Sequence, residues 1–515
     1  MAARAPRTWM AGTEPTAVHP RHPGALGFLA GGNLPPGLEA GGTHRRLFGW
    51  RPGSEHVNTL LRNAGDTVMA RARWLVRNNG YAKAALRSWR SATVGAGIKP
   101  SSLIEDKDTR EAVNKAWLDW TDEADAEGLT DLYGLQRRAS GEAFLAGECF
   151  VRLRHRLPQD GLAVPLQLQL LPAEQLPLSG PRDAEALPNG NRIRLGIEFD
   201  RALHDKRVAY WFYRDNPTDK TLTWRDAFNA NMLTRVPAED VLHVYDPMES
   251  GQIRGLSGFG AAMVKMFHLD LYDDAELERK KQAARYAAVI KNNGEQTEAV
   301  QTELDDMPIA PYGPGAYLML NPGEDIEFSE PAEVGNSYEP FQYRTLLYIC
   351  ASLGTPYREV SGDASKESYA SSRATLIAYR MEVEAFQHAV LVFQFLLRVW
   401  RTWMDTAVIA GVLPFNASTY RANMADLRRA KMITPRLPWV DPWKDAKAEE
   451  AMVNNGFKSR SDVIESLGSD PEETDQRIAE DRERARSLGL VFPETNAAGS
   501  PNKTDLALGG TSEAA

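Results

Sequence analysis

Gly255-Leu256-Ser257-Gly258-Phe259 is the stretch that first invites a nucleophilic reading, because a serine between two glycines opens like a nucleophile elbow. Phe259 stands where the second glycine must let strand and helix approach, and no triad setting surrounds the serine, so the pattern fails. Gly258-Phe259-Gly260 begins like a dinucleotide loop, yet its third glycine position is Met263. No GxxxxGK[ST] run and no HExxH pair occur in the sequence, which argues against ATP hydrolysis and zincin chemistry. Asp270, Asp273, Asp274 and Glu276 could hold a divalent ion, but Arg279, Lys280 and Lys281 follow directly and favour helix charge pairing. His243 and His268 are isolated. Trp439 and Trp443, four apart around a proline, read as a packing anchor before a base-stacking platform. Cys149 and Cys350 have no metal-ligand spacing and are too few for a disulfide framework, so a reducing compartment is expected.

Polar chemistry of another kind lies in the loop Gly354 to Tyr369, which carries Arg358, Ser365 and Lys366 and almost nothing suited to a core. It feeds the strongest periodic signal in the chain: Leu376, Tyr379, Val383, Phe386, Val390, Phe393, Leu397, Trp400 and Met404 recur in steps of three and four, a helical face. Ser371 or Ser372 is positioned to cap its start, and Gly411 with Pro414 supplies a stop. A second row, Arg373, Arg380, Gln387, Gln394 and Arg401, is polar throughout and reads as a solvated back. A polar loop with Arg358 and Lys366 at the head of a rigid helix is suited to presentation to a partner.

The elements behind this pair are those of a large globular chain. Its 515 residues are 43% hydrophobic and 25% charged, enough for two to four domains and a substantial core. The net charge of −9 argues against nucleic-acid binding over the whole surface. The charge is uneven: Arg51 to Lys99 holds nine basic and two acidic residues, and 441–515 holds sixteen acidic and nine basic. No stretch reads as membrane-spanning, since Gln394, Arg398 and Arg401 interrupt the most apolar run, and no signal peptide is apparent; a soluble cytoplasmic product is expected.

Periodicity predicts helices over Val57–Val94 with a break near Asn78-Asn79-Gly80, over Thr109–Trp120 and over Leu132–Leu145. Alternation predicts strands at Cys149–Leu153, Leu166–Leu171, Ile193–Phe199 and Val208–Tyr213, with a turn and strand across Val236–Tyr245. A long helix is expected from Leu256 to Asn292, then a hairpin of Ala316–Leu320 with Ile326–Phe328, then a helix over Tyr343–Leu353. The fold class is α+β.

In order and spacing, Arg71/Arg73 with Arg77-Asn78-Asn79, Val94-Gly95-x-Gly97, Gly147-Glu148, Val236 to His243, Gln252-x-Arg254-Gly255-Leu256-Ser257, Leu320-x-Pro322-Gly323-Glu324 and Tyr369-x-Ser371-Ser372-Arg373 resemble the portal proteins of tailed bacteriophages, lambda-like branch. The resemblance runs from about Arg45 to Leu490. It implies a portal-type fold: a disordered arm (1–44), an α+β wing (45–255), a first stem helix (256–293), a small β clip (294–336) and a second stem helix (337–353). A tunnel loop (354–372), a long wing helix with its following segment (373–436), a helical crown (437–490) and a disordered tail (491–515) complete it. It also implies a homo-oligomeric ring of about twelve copies at one capsid vertex, through which double-stranded DNA is packaged and ejected. The implied partners are the terminase large subunit, a head-tail adaptor, and the major capsid and scaffold proteins, with no membrane, cofactor, metal or catalytic residue. Arg358, Ser365, Lys366 and Arg373 would then face DNA. A serine hydrolase using Ser257 or Ser361, or a scaffold without a pore, are the alternatives.

Overall fold

The computed structural model describes residues 53–180, 182–183, 185–221, 232–285, 289–292, 324–327, 338–435 and 441–490. Two units divide the chain, Met1–His56 and Val57–Ala515, and every element below belongs to the second. The expected arm (1–44) and tail (491–515) lie outside the described residues, as do Trp439 and all of the expected clip but Glu324–Glu327.

Helices α1 (Val57–Asn78) and α2 (Gly80–Thr93) are separated at Asn79, whose side chain leaves the helix to accept the N–H of Ala82 at 3.0 Å and cap α2. Strand β1 (Lys99–Ser102) leads to α3 (Lys107–Thr121), capped by Asp106, and α4 (Leu132–Leu145), capped by Asp131. Each carboxylate accepts an amide that would otherwise lack a partner. The α3 stripe Val113, Trp117 and Trp120 is buried.

Two antiparallel sheets follow. One is ordered β3-β2-β8, from β2 (Glu148–His155), β3 (Leu166–Leu171) and, later in the chain, Val241–Tyr245. The other runs in chain order through β4 (Arg192–Arg194), β5 (Ile197–Asp200), β6 (Lys206–Tyr213) and β7 (Leu233–Pro237). The expected single strand Ile193–Phe199 is thus two, because Leu195 and Gly196 take positive φ of 50° and 78° and turn the chain back. Phe150, Leu171, Ile197, Phe199, Tyr210, Phe212, Val236 and Val241 form one core cluster between the sheets. β8 (Val241–Tyr245) is an edge strand.

The helix expected from Leu256 to Asn292 is shorter, α5 (Met263–Arg285), because residues 256 and 257 are irregular and 258–262 form turns. At its far end the β-branched pair Val289-Ile290 belongs to strand β9 (Val289–Asn292), which pairs antiparallel with β10 (Glu324–Glu327). Ala316–Leu320, the expected partner, lies outside the described residues. Helix α6 (Tyr338–Leu353) packs back on α5: Asp273 accepts from Tyr338 Oη at 2.9 Å and from Gln342 Nε2 at 3.2 Å. The α5 acidic cluster is therefore only partly intrahelical pairing, through Glu276 with Arg279.

The loop expected over 354–372 is corrected in two ways. Tyr357–Ser361 forms a short helix, α7, and sends Val360 into the main core, with Thr355 also buried, so this segment does carry core residues. The long helix α8 (Tyr369–Phe386) begins earlier than expected. Its cap is Ser368, not Ser371 or Ser372, and Ser368 exchanges hydrogen bonds with Ser371 in a capping box.

A π-helical segment, Gln387–Leu396, joins α8 to α9 (Leu397–Ile409). Its wider turn of i→i+5 bonds advances the buried face. Tyr379, Val383, Phe386 and Val390 are buried as the stripe requires, but Phe393 is 68% exposed and Phe395, Leu396, Val399 and Trp403 take the core beside Trp400 and Met404. Trp117, Trp120, Trp400 and Trp403 form one aromatic cluster, with Trp117 5.0 Å from Trp400 and 5.1 Å from Trp403; such pairs contribute roughly 0.5–1.5 kcal/mol beyond their buried area. The polar row is a solvated back only in part: Arg401 is exposed, but the middle of the row is not. Gln387 is 1% exposed and donates to the carbonyls of Thr93 and Pro435 at 2.9 and 3.1 Å.

Short helices α10 (Ala417–Ala422) and α11 (Met424–Leu427) precede β11 (Ala430–Ile433), which pairs with β1. Helices α12 (Pro442–Asn454), α13 (Arg460–Ser466) and α14 (Pro471–Ser487) close the described chain. Trp443 is 70% exposed, so it anchors no core; Lys447 Nζ stands 4.6 Å over its ring.

Candidate functional site

Gly147-Glu148, His243 and Arg254-Gly255, more than a hundred residues apart at the extremes, meet where the linker to α5 crosses β2 and β8. Gly147 has φ of 94°, and a Cβ there would stand 2.3 Å from the carbonyl carbon of Leu256; one on Gly255 would stand 2.1 Å from the carbonyl oxygen of Gly147. Only glycines allow these two backbones to touch. Arg254, fully buried, donates from Nε to Glu148 Oε1 at 2.7 Å, from Nη1 to the carbonyls of Leu195 and Pro177, and from Nη2 to those of Leu176 and Ala173. All of its N–H donors are used. Glu148 Oε2 accepts from Gly255 N at 2.7 Å and faces His243 Nε2 at 2.9 Å.

Burial pushes the Glu148 carboxyl upward, but Arg254 and His243 outweigh it and hold the pKa down to about 2. Burial, reinforced by Arg207 and Arg254, holds His243 down to about 4 against the pull of Glu148. His243 is therefore neutral at pH 7. Since Arg207 Nη1 can only donate, at 3.3 Å to Nδ1, the ring proton sits on Nε2 and is given to Glu148. A second buried-side clamp repeats the chemistry: Arg73 on α1 donates to Glu142 on α4, 2.8 Å, and to Glu174. Arg73, Glu148 and Arg254 thus fasten elements together and leave no free acid, base or nucleophile.

The serines considered as nucleophiles are bound to backbone. Ser257 Oγ donates to Leu145 O at 2.6 Å, and Ser361 Oγ to Tyr357 O at 2.9 Å. His243 serves Glu148 rather than either serine. Among the described residues no group of three or more His, Cys, Asp or Glu is placed to hold a metal ion, and no helix is long and apolar enough to cross a membrane.

The loop cations go to three different places. Lys366 donates to Glu339 Oε1 on α6 at 2.7 Å and lies 4.4 Å over the Tyr343 ring; the Glu339 bond raises its pKa. Arg358, exposed on α7, lines a cleft with Asn79 and Arg87 of the α1–α2 region. Arg373 donates to Asp445 on α12 at 3.1 Å. Ser365 is exposed, its N–H held by Asp363 Oδ1 at 2.8 Å. What remains of the expected loop is Gly362–Ser368, tethered through Lys366 to α6.

The clamp residues Glu148, His243 and Arg254 belong to the sequence motifs by which the chain resembles a known family. The family model described as phage portal protein, lambda family, matches residues 43–387, and the chain belongs to that family. It is 24% identical over 504 residues to portal protein B of Escherichia phage lambda, covering 88% of this chain and 90% of that one. It is 26% identical over 509 residues to the portal protein of Escherichia phage N15, covering 89% and 92%, and 25% identical over 450 residues to a probable portal protein of Halomonas phage phiHAP-1, covering 83% and 82%. Among solved structures it is similar to a chain of the neck of an empty GTA particle computed with C6 symmetry: 15% identity, TM-score 0.48, 82% of this chain and 96% of that one.

Proposed function

We propose that about twelve copies of this chain close into a ring at one vertex of a phage capsid, assembled in the host cytoplasm, and that double-stranded DNA passes through its channel during packaging and ejection. Membership of the portal family carries this reading. Its physical support is the apolar surface that one copy leaves open on its long helices: Val264, Phe267, Leu271 and Leu277 on α5, Phe341 and Tyr348 on α6, and Ile377 and Met381 on α8 are all between 44% and 67% exposed. Neighbouring copies would cover these faces, and head-to-tail contacts of identical chains close into rings.

In this reading α5 and α6 are the stem, residues up to about 255 the wing, β9 and β10 part of the clip, and 441–490 the crown. Gly362–Ser368 lines the channel, where cyclic symmetry would turn one Lys366 per chain into a ring of charge at one height. An acidic subunit with few channel cations lets DNA slide, since extensive phosphate neutralisation would hold it. The chain has no phosphate-loop pattern, so in this reading the ring does no catalysis of its own and ATP is spent by a docked terminase large subunit; a head-tail adaptor and the capsid and scaffold proteins are the other partners. Negative-stain imaging and mass photometry of the purified full chain test the reading. Rings with a central channel are expected; monomers or dimers at every salt and protein concentration would overturn it and leave the pore-free scaffold.

A further inference from the structure

A cleft of about 770 Å³ opens between β6, β8 and the junction of the π segment with α9. Lys206 and Arg207 from β6 and Arg398 and Arg401 from the helix line it, and Glu239 is the one carboxylate among its described lining residues. The inner two cations are half-buried and spend their donors on neutral groups: Arg207 on His243 Nδ1 and on Tyr245 Oη, 2.7 Å, and Arg398 on the carbonyl of Ala238 at 3.4 Å. Burial lowers the pKa of Arg398, as expected for a guanidinium without a carboxylate beside it. The cleft also has an apolar wall, because the π segment turns Phe393 off the core and into its lining. With Arg207 and Arg398 recessed beside an exposed aromatic ring, the cleft suits side-chain carboxylates flanked by apolar side chains that can reach into it; the phosphates of a rigid duplex would favour the exposed Lys206 and Arg401 alone.

Such a surface exists on the same chain. At the end of α3 and in the loop after it, Leu118 and Leu129 are 59% and 73% exposed, and Asp119 and Asp122 are exposed between them in sequence. The loop is rigidly built: the buried Asp125 carboxylate accepts the N–H groups of Glu127, Leu129 and Thr130 at 3.0 to 3.2 Å. The two patches lie on different sides of α9. Trp400 and Trp403 face α3 through Trp117, whereas Arg398 and Arg401 face the cleft. A contact between two different patches of identical chains is heterologous, the kind that propagates round a ring.

We propose that the cleft of Lys206, Arg207, Arg398 and Arg401 receives Asp119 and Asp122, with Leu118 and Leu129, from the adjacent copy. The proposal rests on the ring reading and names one of its subunit contacts. The test uses full-length Lys206→Glu/Arg401→Glu, Asp119→Arg/Asp122→Arg and the combination of all four, every site being exposed, with circular dichroism confirming unchanged folding. Mass photometry at several salt concentrations should show each charge-reversed pair needing at least roughly tenfold more protein to assemble, and the combination restoring assembly. Wild-type assembly by either pair, or no rescue in the combination, would overturn the contact while leaving the ring. Normal assembly of Lys206→Glu/Arg401→Glu with weakened binding of a short DNA duplex would reassign the cleft to nucleic acid. A wild-type chain that forms no ring at all would overturn the ring reading and the contact together.

Discussion

Gln394 closes the open edge of a sheet: its Oε1 accepts the N–H of Tyr245 at 3.0 Å and its Nε2 donates to the carbonyl of the same residue at 2.9 Å. A helix side chain thus takes the place of the next strand beside β8, where unpaired main-chain groups would otherwise template aggregation.

Replacing Gln394 by Met keeps the shape and removes both bonds. Tyr245 N–H and C=O then lose their partners, at about 1–3 kcal/mol for an unsatisfied buried group. Urea denaturation of the full chain should register the loss, and light scattering should show faster aggregation. An unchanged midpoint would mean that water serves Tyr245 equally well.

Acid should weaken the joint of Glu148, His243 and Arg254 in two stages. His243 is held at about 4, below its ordinary 6.5, so its contribution is complete above pH 6.5 and is lost as pH falls from 6.5 to 4. Glu148, held at about 2 from 4.5, contributes fully above pH 4.5 and loses this between 4.5 and 2. From pH 7 to pH 5 the histidine alone should cost about 2 kcal/mol. His243→Gln, though less stable at pH 7, should lack this part of the slope in denaturation curves taken at the two pH values.

Arg254→Met would strand Glu148 and four carbonyls that the guanidinium now serves. A broken buried pair costs roughly 3–5 kcal/mol, and lysine, with a point charge on a flexible stem, would recover little of it. Both variants should accumulate in the insoluble fraction on expression. Soluble Arg254→Lys with an unshifted melting temperature would show that the carbonyl contacts are dispensable.

Lys366→Glu should leave ring formation intact and lower the DNA retained in particles, because the change falls on the exposed Gly362–Ser368 segment. Glu339→Gln, which frees Lys366 from its pairing partner, should act in the opposite sense. Genome content of purified particles is the readout, and wild-type filling by Lys366→Glu would remove that segment from the channel wall. Arg373→Ala should instead loosen α12 through loss of Asp445, seen as faster proteolysis after residue 441.

Much of this architecture is legible in the sequence because it depends on local periodicity. Leu132–Leu145 and Leu166–Leu171 match their helix and strand to the residue, and Tyr379 to Val390 face the core as an α-helical stripe requires. The stripe misleads at Phe393, although Trp400 and Met404 are buried as it requires, since a π turn changes the period without any local residue that announces it. Gln387 and Gln394 look solvated for a related reason: their partners are backbone groups of Thr93, Pro435 and Tyr245, which no pattern of side chains reveals. The joint was visible only as separate fragments. Gly147-Glu148 and Arg254-Gly255 stand out as motifs, but that one carboxylate serves both Arg254 and Gly255 N is a fact of tertiary contact. The cleft around Arg207 and Arg398 had no signal at all, because one cation sits in an alternating strand and the other on an amphipathic helix.

The touching backbones of Gly147 and Gly255 bear on how the molecule carries load. With Glu148, Arg254 and the hydroxyl of Ser257 all fixing the same short linker, the root of α5 is a weld and not a hinge. A push along α5 therefore reaches the β2–β8 sheet directly, without being absorbed on the way.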